Sequence, residues 1–395
     1  MRINFSNSRR LSTLVASLTG KPNMASLLHL RDRYNGRQQL LLALAGLVIV
    51  VLIWWGLAEM LSIERPVIDY NTHLPSMLDQ EKDDFAINLD SILQVDSINL
   101  ANATEFEKIY PLLPPPNEVL QAFPLLQRDD QLAKNTWISV WRNLQGYFWA
   151  VFLAIFIGFP IGLLPILRGL FSKQVDALRY LPLTAVTGLF ILWFGVGDSM
   201  KIAFLAFGIL VYLLPVVIQR IKEVEDVYLT TVFTLGATNW QMIKSVYFPA
   251  VLSKLMDDIR VLTAISWTYI IIAELLNREG GVGAMIWLNG KYGKVDKVFA
   301  WLLVIILVGF LQDRLFVYLD KRLFPHKYYK TVFTGLKEVR YGFWMMLGSV
   351  MLFLLLSSIF PNWAQPLQSL LYITVITGLI AVIYGEIRFQ RSYIS

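Results

Sequence analysis

The chain has 395 residues, 56% of them apolar and 16% charged, with a mean hydropathy of +0.53. That balance lies outside the range of soluble domains and calls for several membrane-spanning helices, so length here counts spans and not soluble domains. The net charge of +6 comes from basic residues beside apolar runs, an orientation signal and not a nucleic-acid surface, while the lack of cysteine excludes a disulfide framework, a thiolate metal site and a cysteine nucleophile.

The first apolar run, Leu40 to Leu61, is long enough to cross a bilayer and carries Trp54 and Trp55 near one end, as interfacial aromatics do. It exceeds a signal-peptide core and lacks a small-residue cleavage site, so an uncleaved anchor is expected. Ahead of it, residues 1–39 hold Arg2, Arg9, Arg10, Lys21, Arg31, Arg33 and Arg37 against Asp32, which predicts a cytoplasmic N-terminal segment. Residues 62–127 reverse the balance, with eleven acids against Arg65, Lys82 and Lys108. They read as an extracytoplasmic loop with short helices, leading into the stiff Pro114-Pro115-Pro116 elbow. Solvated loop charge is the plain reading of those acids, and cation binding the alternative.

Further spans are expected at about 146–167, 181–197, 202–218, 261–276, 298–315, 342–360 and 367–385. Eight spans return both termini to one side, and the basic residues of 168–173, 220–254, 321–340 and 388–391 all fall on the expected cytoplasmic face. The predicted fold is an all-α polytopic transmembrane bundle with a core over 128–320. A basic cytoplasmic linker over 321–341 and a C-terminal transmembrane hairpin with its tail over 342–395 follow it. Membrane lipid is an expected partner; nucleic acid is not.

Within the second span, Gly158-Phe159-Pro160-Ile161-Gly162 puts small residues four apart around a proline. Helix packing is the plain reading and a gating hinge the alternative; Pro160 could serve both.

Glu223 to Arg260 is the most informative stretch, a polar segment between apolar runs. Asp226 to Leu235 has a helical pattern, Gly236 permits a left-handed turn, and a second amphipathic stretch runs from Trp240 to Tyr247 before Pro249. Two short helices at an angle are expected, with Thr238, Asn239, Trp240 and Gln241 exposed between them.

Gly236, nine residues, then Val246-Tyr247-Phe248-Pro249 resembles the "EAA" loop of bacterial ATP-binding-cassette importer permeases, with Thr230-Thr231-Val232 standing where Glu-Ala-Ala would be. The order of surrounding blocks is similar to the branch for nitrate, sulfonates, taurine and bicarbonate. These are the Leu113-Pro114-Pro115-Pro116 elbow, the Gly158 to Gly162 helix, Leu192-Trp193-Phe194-Gly195-Val196-Gly197-Asp198, and Ala273-Glu274 with Gly280-Gly281-Val282-Gly283. The resemblance spans about residues 112–320 and implies a non-catalytic pore subunit in the bacterial inner membrane, with a type I core. It implies alternating access for a small, anionic solute, a homodimer of permeases and an extracytoplasmic binding protein. A cytoplasmic ATPase would carry ATP and magnesium and engage the loop, leaving this chain without a cofactor. The coupling tip would then comprise Gly236, Ala237, Thr238, Asn239, Trp240 and Gln241, bordered by Leu235 and Pro249, with Trp240 as the buried anchor.

What the chain lacks agrees with that division of labour. It has no G-x-x-x-x-G-K-[ST] phosphate loop, and His29, His73 and His326 stand far apart in sequence, so no metal site is expected. Glu274 at the outer end of its span is assigned a structural or gating role, Asp198 and Lys201 could pair, and Arg260 is read as a local ion pair with Asp257 and Asp258. No cationic ligand for a transported anion stands out in the membrane. An ion-gradient-driven secondary transporter is the alternative function; it predicts an inverted repeat and paired mid-membrane charges, and neither is evident.

Overall fold

The structure, a computed structural model, describes residues 35–66, 106–276, 279–328, 334–359 and 364–394. The N-terminal arginines before Arg37, His29, His73, most acids of the 62–127 segment and Lys330 lie outside the described residues. The chain divides into two units, 1–116 and 117–395.

In the first unit, α1 (Gly36–Met60) has its N-terminus capped by Asn35, whose amide donates to Gln38 Oε1 at 3.1 Å. β1 (Ile63–Pro66) then pairs antiparallel with β2 (Phe106–Ile109), setting Glu64 opposite Lys108 and Arg65 opposite Glu107. This ribbon, stabilised by opposite charges facing across the strands, adds two short strands to a segment expected to be loop and short helix, of which residues 67–105 lie outside the described residues. It is tied to α1 by Lys108 and Tyr110, which both donate to the Glu59 carboxylate.

The regular structure in the described part of the second unit is all helical, joined by short turns: α2 (Pro116–Asp129), α3 (Leu132–Leu163), α4 (Pro165–Leu178), α5 (Leu183–Phe194), α6 (Asp198–Lys222), α7 (Asp226–Thr234), α8 (Asn239–Met242), a π turn (Ile243–Tyr247) and α9 (Phe248–Leu276). After these come α10 (Val282–Lys291), α11 (Val295–Leu323), a 3-10 turn (Pro325–Lys327), α12 (Leu336–Ile359) and α13 (Ala364–Ile394).

α3 and α6 form a parallel central pair. Gly146 faces Leu205, Gly158 faces Val217 and Gly162 faces Ile221, at one constant sequence offset, so the two helices keep step for about four turns. A Cβ on Gly158 would lie 2.7 Å from Val217 Cγ1, which is why the small residues are needed there.

Parallel neighbours require a return crossing between them, and α4 with α5 supplies it. Val175 of α4 packs with Leu214 and Ile218, Leu183 reaches Gly208, and Phe190 of α5 stands edge-on to Phe204 at 5.6 Å. The chain thus climbs α6 back toward its N-terminus. The expected single span over 181–197 is corrected to the second half of a crossing bent by 103°. At 12 residues α5 is about 18 Å long, too short for a hydrocarbon core of about 30 Å. Pro182, without an amide hydrogen, separates the halves. Counting this pair once gives eight crossings among the described residues.

α9 packs against both α3 and α6 through Tyr147, Leu205, Ile209, Leu213, Val251, Leu255 and Ile270. Trp267 Nε1 on α9 donates to Gln312 Oε1 of α11 at 2.8 Å. α12 and α13 form an antiparallel hairpin in close backbone contact, Gly342 against Gly378 and Gly335 against Gly385.

Candidate functional site

The expected coupling residues sit where α6 gives way to α9. α7 ends at Thr234, Leu235 is its C-cap, and Gly236 follows at φ 78°, a left-handed value that strains any residue with a Cβ. Ala237 closes the turn by donating to Val232 O at 3.3 Å. Thr238 then caps α8: its hydroxyl accepts from Gln241 N at 3.3 Å while its amide donates to Gln241 Oε1 at 2.8 Å.

The second stretch does not end as a separate helix before Pro249, as expected. α8, the π turn and α9 form one element, Asn239–Leu276. Pro249 lacks the donor that would bond the carbonyl four residues back, and its ring needs room beside that carbonyl. The helix accommodates it by widening: Phe248 N bonds Ile243 O, five residues back. Proline here shifts the register of the ladder without breaking the helix.

No side chain between Asp226 and Tyr247 is buried. Thr238, Asn239, Gln241 and Pro249 are exposed, and Ala237 is half-buried. Phe233, Leu235 and Trp240 expose 68, 80 and 70% of their surface, an apolar set that the described residues leave uncovered.

The base of this segment is held by charge. Arg220 donates to both oxygens of Asp258, at 2.7 and 2.8 Å, and to Glu223 at 2.6 Å, while Lys254 donates to the Glu223 carbonyl at 2.8 Å. The Arg220 hydrogen bond holds the Glu223 carboxyl below the usual carboxylate range, outweighing its partial desolvation. The expected local pairing of Arg260 with Asp257 and Asp258 is corrected. Asp258 is taken by Arg220, and Arg260 reaches across to both oxygens of Asp313 on α11.

At the opposite end of α6, Glu274 is fully buried. Its carboxylate accepts from Ser139 Oγ at 2.8 Å, Arg142 Nη1 at 3.0 Å and Gly283 N at 2.9 Å. Ser139 Oγ in turn accepts from Val282 N at 2.8 Å, and Asn135 Oδ1 from Gly281 N at 2.9 Å. The first amides of α10, which no helical carbonyl can serve, are therefore satisfied by side chains of α3 and α9, with a carboxylate at the positive end of the helix dipole. Arg142 also binds the carbonyls of Glu279 and Gly280, and pairs with Asp198 at 2.6 Å. Lys201 stands 3.6 Å from Asp198, so the expected pair exists, with Arg142 as its nearer member.

Sequence reasoning missed Asn135, Ser139 and Arg142 because the span was started at Gly146. The signal was present: with Asn143, whose amide donates to Ser266 Oγ at 2.9 Å, they recur at helical spacing on one stripe of an apolar helix. Gly158 and Gly162 lie lower on the same helix, against α6, with Pro160 in its last turn.

Residues 150–325 match the family described as "Binding-protein-dependent transport system inner membrane component". The taurine transport system permease protein TauC of Escherichia coli (strain K12) is 30% identical over 218 residues, covering 54% of this chain and 79% of TauC. The chain belongs to this family. A second relative of this permease, SsuC of Bacillus subtilis (strain 168), named for aliphatic sulfonate transport, is 31% identical over 54% of this chain and 77% of its own length. One chain of the methionine ABC transporter MetNI, in an inward-facing crystal form, matches with a TM-score of 0.40 and 20% identity, over 49% of this chain and 97% of its own. The permease is a transport component of an ATP-binding-cassette importer, non-catalytic in itself, and the relatives lend nothing to an ion-gradient mechanism. The family match runs from α3 to the 3-10 turn and takes in the whole segment between α6 and α9.

Proposed function

We propose that this permease forms the pathway for a small anionic solute of the sulfonate class, and that a separate ATPase docks on Leu235 to Gln241. ATP and magnesium bind to that partner, and this chain needs no cofactor of its own. Two copies of the permease enclose the pathway, and an extracytoplasmic binding protein presents the solute. The basic residues around Arg220, Lys254 and Lys321 support a cytoplasmic side for the docking segment and for both termini. The sulfonate class rests on the names of the two relatives. Arg142 is engaged by Glu274 and Asp198, and Lys201 is buried, so neither offers a free cation to a passing anion. That favours selectivity residing in the binding protein.

The observation that carries the docking reading is Trp240, a large aromatic exposed on a turn held by a capping box. An anchor fixed in advance loses little entropy on burial, and such residues dominate interface energetics. Trp240→Ala should weaken ATPase association at least about tenfold and abolish transport while leaving the thermal unfolding of the permease unchanged. Intact assembly and transport in that variant would overturn the assignment. Uptake of labelled taurine and short alkanesulfonates into proteoliposomes holding the full importer, with nitrate and bicarbonate as competitors, tests the solute class.

A further inference from the structure

The family match ends at residue 325, and the α12–α13 hairpin lies beyond it. Among the described residues one ion pair joins the hairpin to the rest of its unit. Arg322, in the last turn of α11, donates to Glu386 Oε1 at 2.5 Å, and Tyr318 donates to Glu386 Oε2 at 3.2 Å. The Arg322 guanidinium also lies 4.0 Å from the Phe389 ring centroid. Arg322 is 9% exposed, so this joint is poorly screened by solvent.

The charged contacts continue from there toward the docking segment. Two residues before Arg322, the buried carboxylate of Asp320 accepts from Lys327 Nζ at 3.1 Å and from the Tyr328 hydroxyl. Lys327 Nζ, on the 3-10 turn folded back beneath α11, also reaches Asp257 of α9 at 3.3 Å. Next to it in the chain is Asp258, the carboxylate that Arg220 grips while binding Glu223 at the entrance to α7. The steps are direct ion pairs except between Arg322 and Asp320, two positions apart on α11, and between Asp257 and Asp258, adjacent on α9, where only the helix backbone links the two sides.

We propose that the hairpin is a brace for the docking segment, with Arg322, Asp320 and Lys327 as positioning residues that fix the base of α9 and so the pose of Gly236 to Gln241. The functional meaning of this brace rests on the reading that the segment engages the ATPase. The closed joint holds the segment, and breaking it should loosen the segment.

The test is amide hydrogen exchange on the purified full-length permease, followed by the ratio of ATP hydrolysed to solute moved in the reconstituted importer. Glu386→Gln and Lys327→Gln should each speed exchange over residues 226–242 by about three- to tenfold, within the reach of coupling through packed networks, and raise the ATP-to-solute ratio. Lys327→Arg should restore both. Arg388→Gln breaks the pair with Glu338, which is internal to the hairpin, and should speed exchange in α12 and α13 alone. Exchange between α3 and α6 serves as the folding control. Unchanged exchange over 226–242 in both Gln variants overturns the brace. Because exchange requires no ATPase, that failure is distinct from failure of the docking reading, which Trp240→Ala decides.

Discussion

Arg220 and Asp258 meet through two parallel hydrogen bonds of 2.7 and 2.8 Å, closing a loop of 38 positions between the end of α6 and a point about three turns into α9. A planar guanidinium can present that fork and an ammonium cannot. Arg220→Lys should therefore lower stability by about 1 kcal/mol and Arg220→Ala by about 2 kcal/mol. The midpoint of thermal unfolding of the detergent-purified permease checks both, and equal midpoints for Lys and Arg would remove the fork from the account.

Glu223 gives a pH dependence of definite sign. Its carboxyl is held below its ordinary value near 4.5 by the Arg220 hydrogen bond, so its contribution is fully present above that value and is lost as pH falls through the lower, folded-state value. Stability of the segment base should be flat from pH 7 to about 5 and decline on further acidification. Glu223→Gln should flatten part of that decline. Limited proteolysis of residues 223–247 across the acid range is the measurement.

The opposite end of the bundle responds to charge in another way. Glu274→Gln keeps the shape of the side chain but aims an amide at the hydrogens of Ser139, Gly283 and Arg142, leaving Arg142 with Asp198 as its carboxylate partner. Removing one member of a buried pair typically costs about 3 kcal/mol. The expected result is a lowered unfolding midpoint and new protease sensitivity over residues 279–283, and wild-type resistance there would argue against the network.

Close approach of α3 and α6 makes the glycines at their contact sensitive to size. Gly158→Leu and Gly162→Leu collide with Val217 and Ile221, whereas Gly169→Ala enters open space. The first two should lose about 1–3 kcal/mol or fail to assemble, and the third should be silent. Yield of monodisperse protein and its unfolding midpoint distinguish them.

The helices that cross the membrane were legible because a run of about 20 apolar residues has few alternatives to spanning. The Gly236 turn was legible because glycine and proline act on the backbone locally, and a φ of 78° is one that glycine adopts without strain. Pro249 shows the limit of such reasoning: the missing donor was foreseen, but whether the helix stops or widens depends on what α9 packs against. The β1–β2 ribbon was invisible because four-residue strands some forty positions apart carry no period. Arg260 found its partner 53 positions away on another helix, where charge patterning within one segment gives no guidance. Arg142 was lost through a boundary set too late, although its polar stripe was there to be read.

The π turn before Pro249 makes Asn239–Leu276 one continuous 38-residue body, and a rigid tilt of it would pivot where Arg220 grips Asp258. From Trp240 to Asp258 the body measures about 27 Å, and from Asp258 to Glu274 about 24 Å, so its two arms are nearly equal. A tilt of about 5° about that point carries each end roughly 2 Å, in opposite directions. A displacement of Trp240 would thus reappear, with little gain or loss in amplitude, at the Glu274 carboxylate, which joins α9 to α3 and α10 on the far side of the bundle.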